Sequence, residues 1–140
     1  MRCFMLVVCT ESVLDRYTSN WTIVNIVEQF QFNQYPTLTS LQIILFLEFE
    51  DDELNQEFDV RVVLRNVAKE KEEFSRSITV ESKGKRHRIR QSGMPFNAPG
   101  YYRLEVDWRR TGDPGWVRDP ISYPIQAEIL ESKPDEQEAH

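Results

Sequence analysis

Between Gly100 and Arg109 the chain alternates without a slip, with Tyr102, Leu104, Val106 and Trp108 set against Tyr101, Arg103, Glu105, Asp107 and Arg109. A two-residue period of this kind belongs to a strand with one face in a core and the other in water. It recurs at Leu41, Ile43, Leu45, Leu47 and Phe49, where the opposite face begins apolar at Ile44 and Phe46 and turns acidic at Glu48 and Glu50. Phe58, Val60, Val62 and Leu64 then alternate with Asp59, Arg61, Val63 and Arg65, so 41–65 reads as a hairpin with a longer loop. Cys3 to Thr10 is an almost unbroken apolar run, expected in the middle of a sheet. Over Trp21 to Phe32 the alternation shifts phase before Val27, which predicts a bulge, and Tyr35-Pro36-Thr37 ends that strand because proline cannot donate to a ladder.

Elsewhere the pattern is weaker. Asn66 to Glu73 is a charged connection with room for a turn of helix, and Phe74, Ile78 and Val80 mark a faint strand in which Arg76 sits on the wrong parity. Arg86 to Gln91 has only Ile89 apolar, which predicts an edge strand or a solvated loop. A last strand, Trp116 to Leu130, contains Pro120 and Pro124, which suit an edge better than a sheet centre. About seven short strands with turn signals between them predict an all-β fold, an antiparallel β-sandwich of immunoglobulin-like or related Greek-key topology. A closed barrel is the rival architecture. Residues 1–130 form one domain in this reading, and 131–140 an acidic disordered tail.

Composition narrows the function classes. A formal net charge of -6 in 140 residues disfavours nucleic acid as a partner, because backbone phosphates are repelled on average. Cys3 and Cys9 lie six positions apart in one strand, roughly 20 Å, too far for a disulfide. Buried reduced thiols and a cytoplasmic location are the expectation. The opening residues lack the cleavage-site features of a signal peptide, and no stretch reaches the roughly 20 apolar residues that would cross a bilayer.

The best functional candidate is the run Lys83, Lys85, Arg86, His87, Arg88 and Arg90, six cationic or titratable side chains in an otherwise acidic chain. It could engage an acidic protein surface, with Arg86, Arg88 and Arg90 on one face of an extended strand; the bland alternative is a solvated edge guarded against aggregation. Trp116, in a Gly-Asp-Pro-Gly-Trp turn, is a second candidate contact for a protein partner, or with Tyr101 a stacking platform for sugars. The acidic series Glu48, Glu50, Asp51, Asp52, Glu53, Asn55 and Glu57 lacks the order of a helix-loop-helix calcium site and reads as a hairpin loop. With two histidines and no nucleophile motif, the expectation is no enzyme, no cofactor and no metal.

Two stretches carry a family resemblance: Cys9 to Phe30 followed by Tyr35-Pro36, and Phe96-Asn97-Ala98-Pro99-Gly100-Tyr101-Tyr102 before the penultimate strand. They resemble a family of small, uncharacterised all-β domains of bacteria and their phages, over residues 3–130. The resemblance implies the fold and carries no catalytic residue; this chain departs from it in its faint fifth strand and its basic segment. The expected protein is a non-enzymatic protein-binding module, an accessory or assembly subunit, with a carbohydrate- or other ligand-binding sandwich as the alternative. Self-association through an edge strand is open to it.

Overall fold

The computed structural model describes residues 1–130; the tail expected at 131–140 lies outside the described residues. Among the described residues there are nine strands rather than about seven: β1 Arg2–Leu14, β2 Trp21–Ile26, β3 Gln29–Phe32, β4 Thr37–Glu48, β5 Glu57–Asn66, β6 Lys71–Glu81, β7 Arg86–Phe96, β8 Gly100–Arg110 and β9 Val117–Ile129. One sheet has the order β2-β1-β4-β7 and the other β3-β9-β8-β5-β6. The core between them takes Ile43, Leu45, Leu47 and Phe49 from the first, and Phe58, Val60, Val62, Leu64, Tyr102, Leu104 and Val106 from the second, with Trp108 at its margin. These are the parities read from the alternation. No helix among the described residues is long and apolar enough to cross a membrane.

The first correction is at Val27. The phase slip there marks a change of sheet, and the single strand expected over 21–32 is two strands. β2 pairs with β1, whereas β3 runs parallel to β9 from Gln29↔Gln126 to Phe32↔Ile129, so the sandwich is not wholly antiparallel. Asn25 takes a φ of 57°, a left-handed conformation that asparagine tolerates better than most residues. Just beyond it the Val27 N–H donates to Val8 in the first sheet, while the Glu28 carbonyl accepts from Gln126 in the second. Successive residues thus belong to different sheets.

The second correction is at 66–81. No helical turn forms at 66–73; Asn66 Oδ1 accepts the Lys69 N–H at 3.1 Å, Glu70 takes a φ of 50°, and β6 returns along the whole of β5. The strand is faint in the sequence because it is an edge with most of its positions exposed. Arg76 holds core parity with Phe74, Ile78 and Val80, yet its guanidinium passes 5.3 Å from the Phe74 ring and donates to the Ser92 carbonyl on β7 at 2.8 Å. A long side chain can keep its stem on the core margin and its charge outside it.

Arg86 to Gln91 lies in β7, an edge strand rather than a loop, and Lys83 and Lys85 precede it in the turn from β6. Pro120 and Pro124 lie in the part of β9 that β3 does not reach, a bare flank where a missing N–H costs no ladder bond. Two polar contacts tie the sheets and corners. The Tyr102 hydroxyl donates to the Ala98 carbonyl at 2.7 Å, and the buried Asp119 carboxylate on β9 accepts the Cys3 N–H of β1 at 2.8 Å. Cys3 and Cys9 are free and buried, and burial pushes the Cys3 thiol up to about 12, so it stays protonated.

Candidate docking site: a folded-back arm

β1 pairs with β4 only from Arg2 to Cys9; from there to Leu14 its one partner is β2. The pair forms an arm, and two strands alone are marginal in water. Support comes from β7. Register sets Arg88 opposite Phe46, and so level with Met5, and Arg90 opposite Ile44, level with Val7. A straight arm would carry Leu14, nine residues past Met5, about 30 Å away. Instead the Arg88 guanidinium donates to the Ser19 carbonyl at the arm's tip, and Arg90 lies 3.4 Å from Ser12 Oγ and 5.2 Å from the centre of the Trp21 ring. The arm therefore bends across the outer face of β4. Ile44 records the cover: it points away from the core, between the core residues Ile43 and Leu45, and is equally buried. The Ser12 hydroxyl completes the seam with a 2.7 Å bond to Gln42 Oε1.

Pairing of Glu11 with Val24 and Val13 with Thr22 divides the arm into two faces. Ser12, Trp21 and Ile23 face inward and are buried or half-buried. Outward lie Val13, Val24 and Ile26, which are 50%, 40% and 59% exposed, with the exposed Glu11 on β1 opposite Val24 and Tyr17 fully exposed at the tip. From Ser19 to Val27 there is no charged residue. The other sheet edges differ. β7 carries Arg86, Arg88 and Arg90, β6 carries Lys71, Glu72, Glu73, Arg76 and Glu81, and β3 is four residues long with Gln29 and Gln31 bonded to Glu128. Charge on an edge prevents another strand from adding to it, and β2 lacks that guard.

The six-membered basic run does not present a continuous cationic strip. Lys85 is paired with Asp51 at 3.0 Å, His87 is half-buried with its pKa lowered by burial, and Arg88 and Arg90 clasp the arm. Lys83 and Arg86 remain exposed, with no acidic side chain bonded to them among the described residues. Arg88 also lies 5.4 Å from the Phe46 ring, which itself packs near Phe4. Replacing both Arg88 and Arg90 with Ala is expected to raise amide exchange across residues 11–26 by about tenfold while the rest of the first sheet is unchanged. Exchange as slow as in the wild type would show that the clasp is not what holds the arm.

Trp116 and Tyr101 are not brought together. Trp116 lies against the outer face of the second sheet with the guanidinium carbons of Arg61 and Arg109 at 4.4 and 4.2 Å from its ring centre. Tyr101 stands near the other end of β8, eight residues before Arg109 and so roughly 27 Å away. There it lines an open cleft of about 410 Å3 with Glu28, Gln29, Val67, Arg103 and Gln126. Under Trp116 runs an ion lattice that sequence reasoning did not single out. Asp107 accepts from Arg61 at 2.7 Å and from Arg118, Glu105 accepts from Arg65 at 2.7 Å and from Arg118, and Asp59 accepts from Arg109 at 3.0 Å. The mixed charges on the polar parity of Arg103, Glu105, Asp107 and Arg109 and of Asp59, Arg61 and Arg65 were its only trace in the chain.

The acidic series is dispersed in the same way. Glu48 is bonded to Arg2, Asp51 to Lys85, and Glu53 to the Met1 ammonium and the Glu50 N–H. Among the described residues no three His, Cys, Asp or Glu side chains are gathered as a metal site would need.

The molecule these features define is a two-sheet, all-β domain with a clasped, partly apolar arm. It belongs to a family of unknown function, DUF6941, which matches residues 5–109, from within β1 almost to the end of β8. No curated protein matches the chain.

Proposed function

We propose that the chain is a non-enzymatic protein-binding module that docks through the outer face and free edge of the β1–β2 arm. The observation that carries this reading is the uncharged β2 edge, flanked by exposed Val13, Val24 and Ile26, on a molecule whose other edges are charged, short or proline-bearing. An unguarded edge offers main-chain hydrogen bonds to an added strand, and aliphatic side chains beside it supply the apolar area. Lys83 and Arg86 are a secondary rim for an acidic partner. In this reading the module is an accessory or assembly subunit in the cytoplasm of a bacterial or phage-related system.

An immunoglobulin-like topology is part of the proposal. Its supports are the adjacency of β4 and β7 in one sheet, the order β9-β8-β5-β6 in the other, the parallel β3 beside β9, and the Tyr102 hydroxyl bonded four residues upstream at the start of β8. Such domains commonly recognise partners with edges and end loops.

The test is recovery of partners by the tagged chain from cells that produce it, with Val24→Lys as the variant. A lysine on an exposed edge leaves the core intact, so the melting temperature should stay within about 2 °C while recovery of a specific partner falls at least about tenfold. Equal recovery would remove the arm from the argument. Replacing Arg86, Arg88 and Arg90 together is not a clean alternative, since two of them hold the arm.

A further inference from the structure

We infer that the occupant of the β2 edge is the β2 edge of a second copy, giving a two-fold dimer in which the two arms form one antiparallel four-stranded ribbon. This rests on the reading of the arm as the docking surface and names its partner. A strand paired antiparallel with itself about a two-fold axis presents the same patch from both sides, so every exposed group must tolerate its symmetry mate. β2 meets that condition. The span Ser19 to Val27 has no charge, so no like charges are opposed, in a chain that otherwise carries a net charge of -6 and would repel its copy over most approaches.

The two ends of the strand supply the matching charges. Arg16 lies in the arm's turn before β2, and Glu28 lies two residues after β2 ends; both are exposed and neither forms an ion pair among the described residues. Antiparallel self-pairing sets the leading end of each β2 beside the trailing end of the other. With β2 centred on the axis, each Glu28 falls opposite Ser19 of the second copy, and Arg16, in the same turn three residues away, approaches it with its long side chain, once at each end of the ribbon. The exposed aliphatic groups agree with the same arrangement, because Val13 and Val24 lie on one face of the arm and become continuous with their mates across the axis. Clasping by Arg88 and Arg90 holds the arm as a preformed template, which lowers the ordering cost of pairing.

The experiment is sedimentation equilibrium of the full chain across a concentration series up to roughly 0.5 mM, a range that captures dimers of micromolar affinity. The wild type should show a reversible monomer–dimer equilibrium. Val24→Lys should weaken it at least about tenfold, and Arg16→Glu and Glu28→Arg should each weaken it about three- to tenfold. The double variant carrying both charge reversals should recover most of the wild-type affinity. Both reversals lie at exposed positions, so folding is not at stake, and recovery by the double variant is specific to self-pairing. A chain that stays monomeric over the whole range, or a double variant as weak as the sum of its singles, overturns the dimer. In that case Val24→Lys in the partner-recovery assay separates the two ideas. Loss of a heterologous partner there leaves the arm as a docking surface with a different occupant, and unchanged recovery removes both.

Discussion

Asp107→Ala should lower the unfolding free energy by about 1.5–3 kcal/mol in urea titrations, the scale of lost hydrogen bonds to charged groups whose cations can still reach water. The carboxylate is almost wholly buried on the outer face of the second sheet and receives the guanidinium of Arg61 at 2.7 Å and that of Arg118. Its neighbour Glu105 shares Arg118, and Val63, fully buried outside the main core, sits in the same layer opposite Glu105. Without Asp107, Arg61 loses its carboxylate and Arg118 keeps only Glu105. Asn at 107 retains an oxygen of the same reach but not the charge, so it should fall between the wild type and Ala.

The same carboxylate dictates an acid signature. Burial alone would raise the Asp107 pKa, but the bonds from Arg118 and Arg61 outweigh it and hold the group below the usual aspartate range. A group with a folded pKa below its unfolded value stabilises the fold above the unfolded pKa, about 3.9, and loses that contribution as the pH falls through the folded value. Asp59 is lowered as well, by Thr79, Arg109 and Thr111. The wild type should therefore lose stability steeply below about pH 4, and Asp107→Asn should show a shallower slope there. Equal slopes in the two proteins would mean that the lattice does not stabilise the ionised form.

Phe96→Ala should cost about 3–5 kcal/mol and lower the melting temperature by roughly 10–15 °C, on the scale of other buried aromatic deletions. Phe96 ends β7 in the first sheet and is fully buried. Its ring meets Phe30 of β3 edge-on at 4.7 Å and Tyr102 of β8 at 5.0 Å, so one side chain fills the space between three strands drawn from both sheets. Tyr102 is also the residue whose hydroxyl ties the corner at Ala98, and a cavity beside it would loosen that bond. A loss under about 1 kcal/mol would mean that the corner repacks around the missing ring.

How legible these features were depended on the range of the interactions that made them. The parity of β4, β5 and β8 could be read directly, because which face a residue takes is local and each of these strands buries one face deeply. β6 was faint because an edge strand needs little apolar surface, and Arg76 seemed misplaced only until its contact with Ser92 on another strand was known. The slip at Val27 was visible, but a bulge and a change of sheet leave the same mark on a single strand. Of the candidate site, the basic run was conspicuous and its use was not. Arg88 and Arg90 grip residues 69 and 78 positions away, a distance over which no spacing rule operates.

What the chain determined alone is therefore the set of strands with a strong two-residue period, the split of their side chains between interior and water, and the separation of Cys3 from Cys9. Each follows from the pleat of an extended backbone, which acts over two or three residues. Only the tertiary structure decided which strands are neighbours, that β3 lies parallel to β9, that the arm folds over β4, and that β2 keeps an open, uncharged edge. Those outcomes depend on which distant surfaces can be buried against one another at once, and that balance is struck by the whole molecule.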